Sequence, residues 1–173
     1  MRYFLLAAVL CSLPMVNGCS PSLNWRDVRF DQAPLAALFP CKPEQGVRLV
    51  SLASKEVRMT MLGCDAGGAT FTLAYADLQD AAMTGAALAQ WKQATLSSMR
   101  AQAASERPFL IKGASVLPSS VHAEARGSRQ DGTAVAAHAV WFAAGSRVYQ
   151  AAVYADTVSP AVAETYFAGL RLP

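Results

Sequence analysis

The chain alternates between two hydrophobic periods, and the switches divide it into elements. From Gly46, residues Val47, Leu49 and Ser51 alternate with Arg48, Val50 and Leu52, and Val57, Met59 and Met61 then alternate with Arg58 and Thr60. After the turn-like "CDAGG", Phe71, Leu73 and Tyr75 share one face. This period-two pattern predicts strands over 47–53, 56–64 and 69–77, in an antiparallel sheet with one covered face. Phe30–Phe39, limited by Pro34 and Pro40, is at best a short edge strand. At Thr84 the period lengthens. Leu88, Trp91, Thr95 and Met99 fall on one face of a long helix, with Thr84 as its N-cap and Arg107-Pro108 closing the segment. A second run of strands is expected at 109–111, 121–129, 133–142 and 147–156, with "RQDGTA" a hairpin turn of the Asp-Gly kind. Ser159-Pro160 then opens a last helix, with Val162, Tyr166 and Leu170 inward and Phe167 beside them. The fold class is therefore α+β: an antiparallel sheet with one long helix and a C-terminal helix packed on it. "LAYADLQDAA" (73–82) and "AVYADTVSPA" (152–161) both end a strand in Tyr-Ala-Asp and pass to a helix, which suggests two strand–strand–strand–helix halves.

The first residues fit neither period. Met1-Arg2-Tyr3 is a short positive start, and Phe4 to Val16 follows without a charge. That run has the form of an export signal, too short to cross a bilayer, which takes about 20 apolar residues. Val16-Asn17-Gly18-Cys19 then admits two cuts: ordinary signal peptidase cleavage after Gly18, or lipoprotein processing with Cys19 as the modified residue. The tetrapeptide resembles the bacterial lipobox at Val16, Gly18 and Cys19, with Asn17 departing from it. That resemblance implies a thioether-linked lipid on Cys19. At about 0.8 kcal/mol per buried methylene, two or more chains make a stable anchor. Ser20, which is not Asp, resembles the pattern that sends enterobacterial lipoproteins to the outer membrane. Residues 1–18 are thus read as signal, 19–29 as a tether with Trp25 packed on the domain edge, and 30–173 as one domain.

Export decides how the remaining cysteines are read. Of the four, Cys11 leaves with the signal and Cys19 takes the lipid, so Cys41 and Cys64 remain in an oxidising compartment. A disulfide between them is the favoured reading. Two free buried thiols come next, and a metal site completed by His122 and His138 lacks the close Cys or His doublet usual for zinc. A redox pair would normally show CxxC spacing, which is absent. Were Cys41 and Cys64 to flank a middle strand, their Cα atoms would stand about 9.6 Å apart. A bridge needs roughly 4.4–6.8 Å. The pairing therefore requires a sharp turn in "FPCKP" or another strand order.

Composition narrows the function further. Once residues 1–18 are removed from the 173, the 155 that remain are one domain's worth. Loss of Arg2 from 15 basic residues, against 12 acidic ones, leaves a net charge of +2. The basic residues cluster no further than Arg26/Arg29 and Arg126/Arg129, so nucleic-acid binding lacks its footprint. No nucleophile elbow, phosphate-cradling loop or HExxH helix is present. His122 and Glu124 lie two apart on a predicted strand and share a face, a geometry able to serve acid–base chemistry in a hydrolase or isomerase but more often a solvated pair. His138, on a face with Ala136 and Val140, reads as a hydrogen-bonded sheet histidine. Met59, Met61, Tyr75, Trp91 and Met99 could line a small apolar-ligand or lipid site between sheet and helix, or simply pack as core.

Two resemblances bear on this. At Asn24-Trp25-Arg26-Asp27-Val28 and Phe39-Pro40-Cys41-Lys42-Pro43 the chain resembles an uncharacterised family of small proteobacterial envelope lipoproteins, and the likeness covers most of the domain. More distantly, the Phe39-Pro40 strand end and the closing helix into "YFAGLRL" resemble the PsbP-like α/β/α sandwich used by accessory and assembly proteins. The expectation is a non-catalytic, lipid-anchored envelope protein with its domain in the periplasm. It would need no cofactor or metal, and would have the membrane and an envelope protein as partners.

Overall fold

The computed structural model describes residues 22–30 and 33–172; the expected leader and the lipidation at Cys19 lie outside them. Strands β1 (Arg26–Arg29) and β2 (Ala36–Phe39) form a two-stranded antiparallel ribbon. The other seven strands, β3 (Glu44–Leu52), β4 (Lys55–Ala66), β5 (Ala69–Asp77), β6 (Gln102–Pro108), β7 (Val121–Ser128), β8 (Ala134–Ala144) and β9 (Arg147–Ala155), make one antiparallel sheet. Its order is β3-β4-β5-β9-β8-β7-β6, so the two expected strand runs meet at β5 and β9. Helix α1 (Thr84–Ser98) follows β5 and helix α2 (Pro160–Ala168) follows β9. The fold is α+β, as the periodicities predict. Among the described residues no helix is long and apolar enough to cross a membrane.

The two faces differ in side-chain size, and this decides what covers each. Ala74, Ala76, Ala139, Ala143 and Ala152 keep one face shallow. Helix α1 lies against it through Ala87, Leu88 and Trp91, with Trp141 filling the space between. The opposite face is aromatic: Phe71, Phe142 and Tyr149 pack under Tyr166 and Phe167 of α2 and Phe39 of β2. Tyr166 meets both Phe39 and Phe71 edge-on, at 5.4 and 5.3 Å between centroids. The chain after α2 returns to β2, where Ala36 and Arg171 exchange two backbone hydrogen bonds of 2.8 Å. The two Tyr-Ala-Asp segments do end β5 and β9, but the helices that follow take opposite faces.

Several expected boundaries move. Residues 26–29, read as tether, are β1, while Trp25 packs edge-on against Phe71 at 6.1 Å as expected. The segment closed by Arg107-Pro108 is not all helix: α1 stops at Ser98 and 102–108 is edge strand β6. Arg100 at φ 50 breaks the helical run, and Gly127 admits the helix end against β7. A Cβ on Gly127 would strike the Met99 carbonyl, which instead accepts a 2.7 Å bond from the Ser128 N–H. Residues 109–111 are not a strand; Phe109 turns inward against Phe142 and Phe167. Thr84 is not the cap either. Asp80 caps a 3-10 turn (Ala81–Met83) that leads into α1, and Thr84 is buried with its hydroxyl donated to the Ala81 carbonyl.

Cys41 and Cys64 form a disulfide with a Cα separation of 6.0 Å. The obstacle of an intervening strand does not arise, because β2 belongs to the other layer. Cys41 sits in the bend that carries the chain from β2 into β3, immediately beside β4.

Candidate functional site

The β7–β8 hairpin brings together residues that the sequence keeps apart. Its register sets Glu124 opposite His138, and alternation puts His122 on the same face, two residues along β7. A ring nitrogen of each histidine and a Glu124 carboxylate oxygen all lie within 4.8 Å of one another. The His138 Nε2 stands 4.0 Å from Glu124 Oε2, beyond hydrogen-bond range. The imidazoles are 5.8 Å apart between centroids, and the Phe167 ring from α2 closes over His122 at 5.1 Å. His122 is 5 % exposed, and its Nε2 is buried without a hydrogen-bond partner among the described residues. It is not half of a solvated surface pair, and among the described residues the His138 ring makes no hydrogen bond.

Burial decides the protonation of both rings. Desolvation, helped by the Arg107 guanidinium and by His138, pushes the His122 imidazole down to about 4, against a smaller upward pull from Glu124. Desolvation also lowers His138, again opposed by Glu124. Both rings are neutral at pH 7, each with a lone pair on one nitrogen. Glu124 and His138 stand at the wall of a cavity of about 500 Å³ that is also lined by Arg126, Ala136, Asp156 and Val158. His122 lies behind them.

The hairpin loop could have revealed this group. An Asp-Gly turn with a two-residue loop would pair Gln130 with Thr133 and place Glu124 opposite Ala139. Here the loop holds three residues, Gln130 to Gly132, with Gly132 at φ 86 and Arg129 accepting its N–H at 3.0 Å. The one extra residue shifts the register and selects His138.

The five residues proposed for an apolar ligand do not converge. Tyr75 is opposite Thr60 in register, so it faces α2; Met59 and Met61 lie on the other face with Trp91 of α1, and Met99 packs separately with Val135 and Ala137. Only Met59 and Trp91 line the space between β3 and α1, a groove of about 240 Å³ shared with Arg48, Gln90 and Thr95.

The two sheet edges contrast sharply. β6 carries Glu106, Arg107 and Pro108 and a register shift between Ala103 and Ser105, and Glu106 is bonded to Lys92 of α1 at 2.7 Å. These features block further strand pairing. β3 carries Glu44 and Arg48 and follows Pro43, but it pairs with β4 along its whole length without a register shift. Val47 and Leu49 share a face at 49 % and 61 % exposure, and the turn Ala53-Ser54 sets the residues with odd numbers to present their N–H and C=O outward. Beside Val47 opens a cavity of about 530 Å³ lined by Arg58, Thr60, Tyr75, Asp77 and Arg147.

No family model and no curated protein matches the chain. Among solved structures it is similar to the Pseudomonas aeruginosa protein PA94, of unknown function, at 13 % identity and a TM-score of 0.38, over 79 % of this chain and 84 % of that one. A likeness that loose carries no functional argument.

Proposed function

We propose that this chain is a non-catalytic, lipid-anchored accessory protein of the bacterial cell envelope, which docks an extended segment of another envelope protein on its free edge β3. The unprotected edge carries the reading: outward backbone groups supply affinity, and Val47, Leu49 and the cavity beside them supply side-chain selectivity. The contrast with β6, which is bulged and has Glu106 tied to Lys92, supports a pairing function for β3, because exposed edges are otherwise blunted. The segment that fits alternates apolar residues toward the Val47/Leu49 face. It also places an acidic side chain near Arg58, since the other arginine of the cavity, Arg147, is paired with Asp77. The export-like leader, the likeness to envelope lipoproteins and the Cys41–Cys64 disulfide support an oxidising, extracytoplasmic address.

The test is a photo-crosslinking residue at Leu49 in the full chain, expressed in its own host. The expected product is one envelope protein joined through an extended segment, and Val47→Lys abolishes it. A crosslink only to a second copy of this chain, or none, overturns the reading. Anchoring is tested separately by intact mass: Cys19 carrying lipid supports it, and a bare Cys19 removes it.

A further inference from the structure

We propose that His122, Glu124 and His138 form a binding site for one divalent transition-metal ion of the zinc class. Two imidazoles and one carboxylate are a donor set for such borderline ions, whereas calcium and magnesium take oxygen ligands. Three potential ligand atoms already lie within 4.8 Å of one another. Around a tetrahedral ion with bonds near 2.0–2.1 Å, donors stand about 3.4 Å apart. The group therefore has to close by up to about 1.4 Å, within reach of side-chain rotation alone. The backbone needs no change, because the ladder between β7 and β8 already fixes all three Cα positions on one face.

A second observation points the same way. His122 is 95 % buried by its 5 % exposure, and its Nε2 has no partner among the described residues. A buried polar atom left unpaired is costly, and sheet histidines of purely structural role are normally satisfied. Arg107, the cross-strand neighbour of His122, is the opposing cation, but it is exposed and therefore screened. Three protein donors leave a fourth coordination position, and the cavity beside Glu124 and His138 gives water access to it.

The chain has only two histidines, which makes the test direct. The full chain, carrying no affinity tag and solubilised in detergent, is labelled with ¹⁵N-histidine, stripped with chelator and titrated with Zn²⁺. The expected result is that both sets of ring signals move together and saturate at one equivalent. Glu124→Gln and His138→Gln should each weaken binding by more than the roughly 10–100-fold typical of losing a supporting group around a metal. Both side chains are partly exposed, and circular dichroism verifies that each variant is folded; if one is not, the other decides. Ring signals that stay in place at one equivalent of Zn²⁺, or variants that bind as tightly as the parent, overturn the proposal.

Discussion

Ser146, in the turn between β8 and β9, donates its hydroxyl to Asp77 Oδ1 at the end of β5, across 2.7 Å and 69 residues of sequence. The same carboxylate accepts the Gln79 N–H at 2.9 Å and lies 3.3 Å from the Arg147 guanidinium. The Ser146 bond is the largest cause holding the Asp77 carboxyl below its ordinary 3.8, with burial opposing it and Gln79 and Arg147 assisting. A carboxyl depressed by folding adds stability above its unfolded value, and that stability is lost as pH falls through the folded one. Ser146→Ala should therefore lower stability at pH 7 by about 1 kcal/mol, discounted for the partial exposure of the pair. The difference should vanish toward pH 2. Urea midpoints of both proteins at pH 7, 4 and 2.5 check this, and a gap that persists unchanged in acid counts against it.

The disulfide closes a loop with a sequence separation of 23 residues. Chain-entropy arithmetic gives such a bridge about 3 kcal/mol. Replacing both Cys41 and Cys64 by Ser should lower the urea-unfolding free energy by that order, and reductant should no longer affect the variant.

Gly127→Ala isolates the contact between the end of α1 and β7. Its added methyl group meets the backbone carbonyl of Met99 and the Cβ of Ala101, neither of which a side-chain rotation can move away. A loss of about 1–3 kcal/mol is expected, as for other overpacked sites. Gly46→Ala, with nothing within 4 Å of the new methyl, is the control. Thermal melts of the two variants should separate clearly.

The Tyr166 hydroxyl donates to the Thr72 carbonyl at 2.8 Å, linking α2 to the centre of the sheet. Tyr166→Phe leaves the ring packing in place and removes that one bond. Unfolding should become easier by about 1–2 kcal/mol, read from the chemical-denaturation midpoint.

Much of the fold was legible although the sheet is covered on both faces rather than the expected one. β5, β8 and β9 are buried on each side, yet β4 still alternates apolar with polar residues and β5 large with small ones. β4, β5, β8 and β9 fall close to their expected places. β6 was hidden because 102–108, at the sheet edge, shows no apolar alternation, and in the neighbouring 109–111 Phe109 and Ile111 are apolar for a different reason, packing with the α2 layer, while Leu110 is exposed. The expected apolar site failed on parity. Tyr75 and Met59 each sit in a clean alternation, but only the pairing of β4 with β5 tells which phase of one matches which phase of the other. The histidine group was hidden by the length of one turn. His122 and Glu124 were visible as a pair, but His138 joins them only because the β7–β8 loop contains a third residue.

The roof over the aromatic face is built from both ends of the described chain: β1 and β2 from one, α2 and the return of Arg171 to Ala36 from the other. In a chain synthesised from its amino terminus, the first ribbon waits with Phe39 uncovered until α2 and residue 171 have followed. A chain ending before α2 would lack that cover and carry an exposed aromatic face, the kind of surface chaperones and proteases recognise.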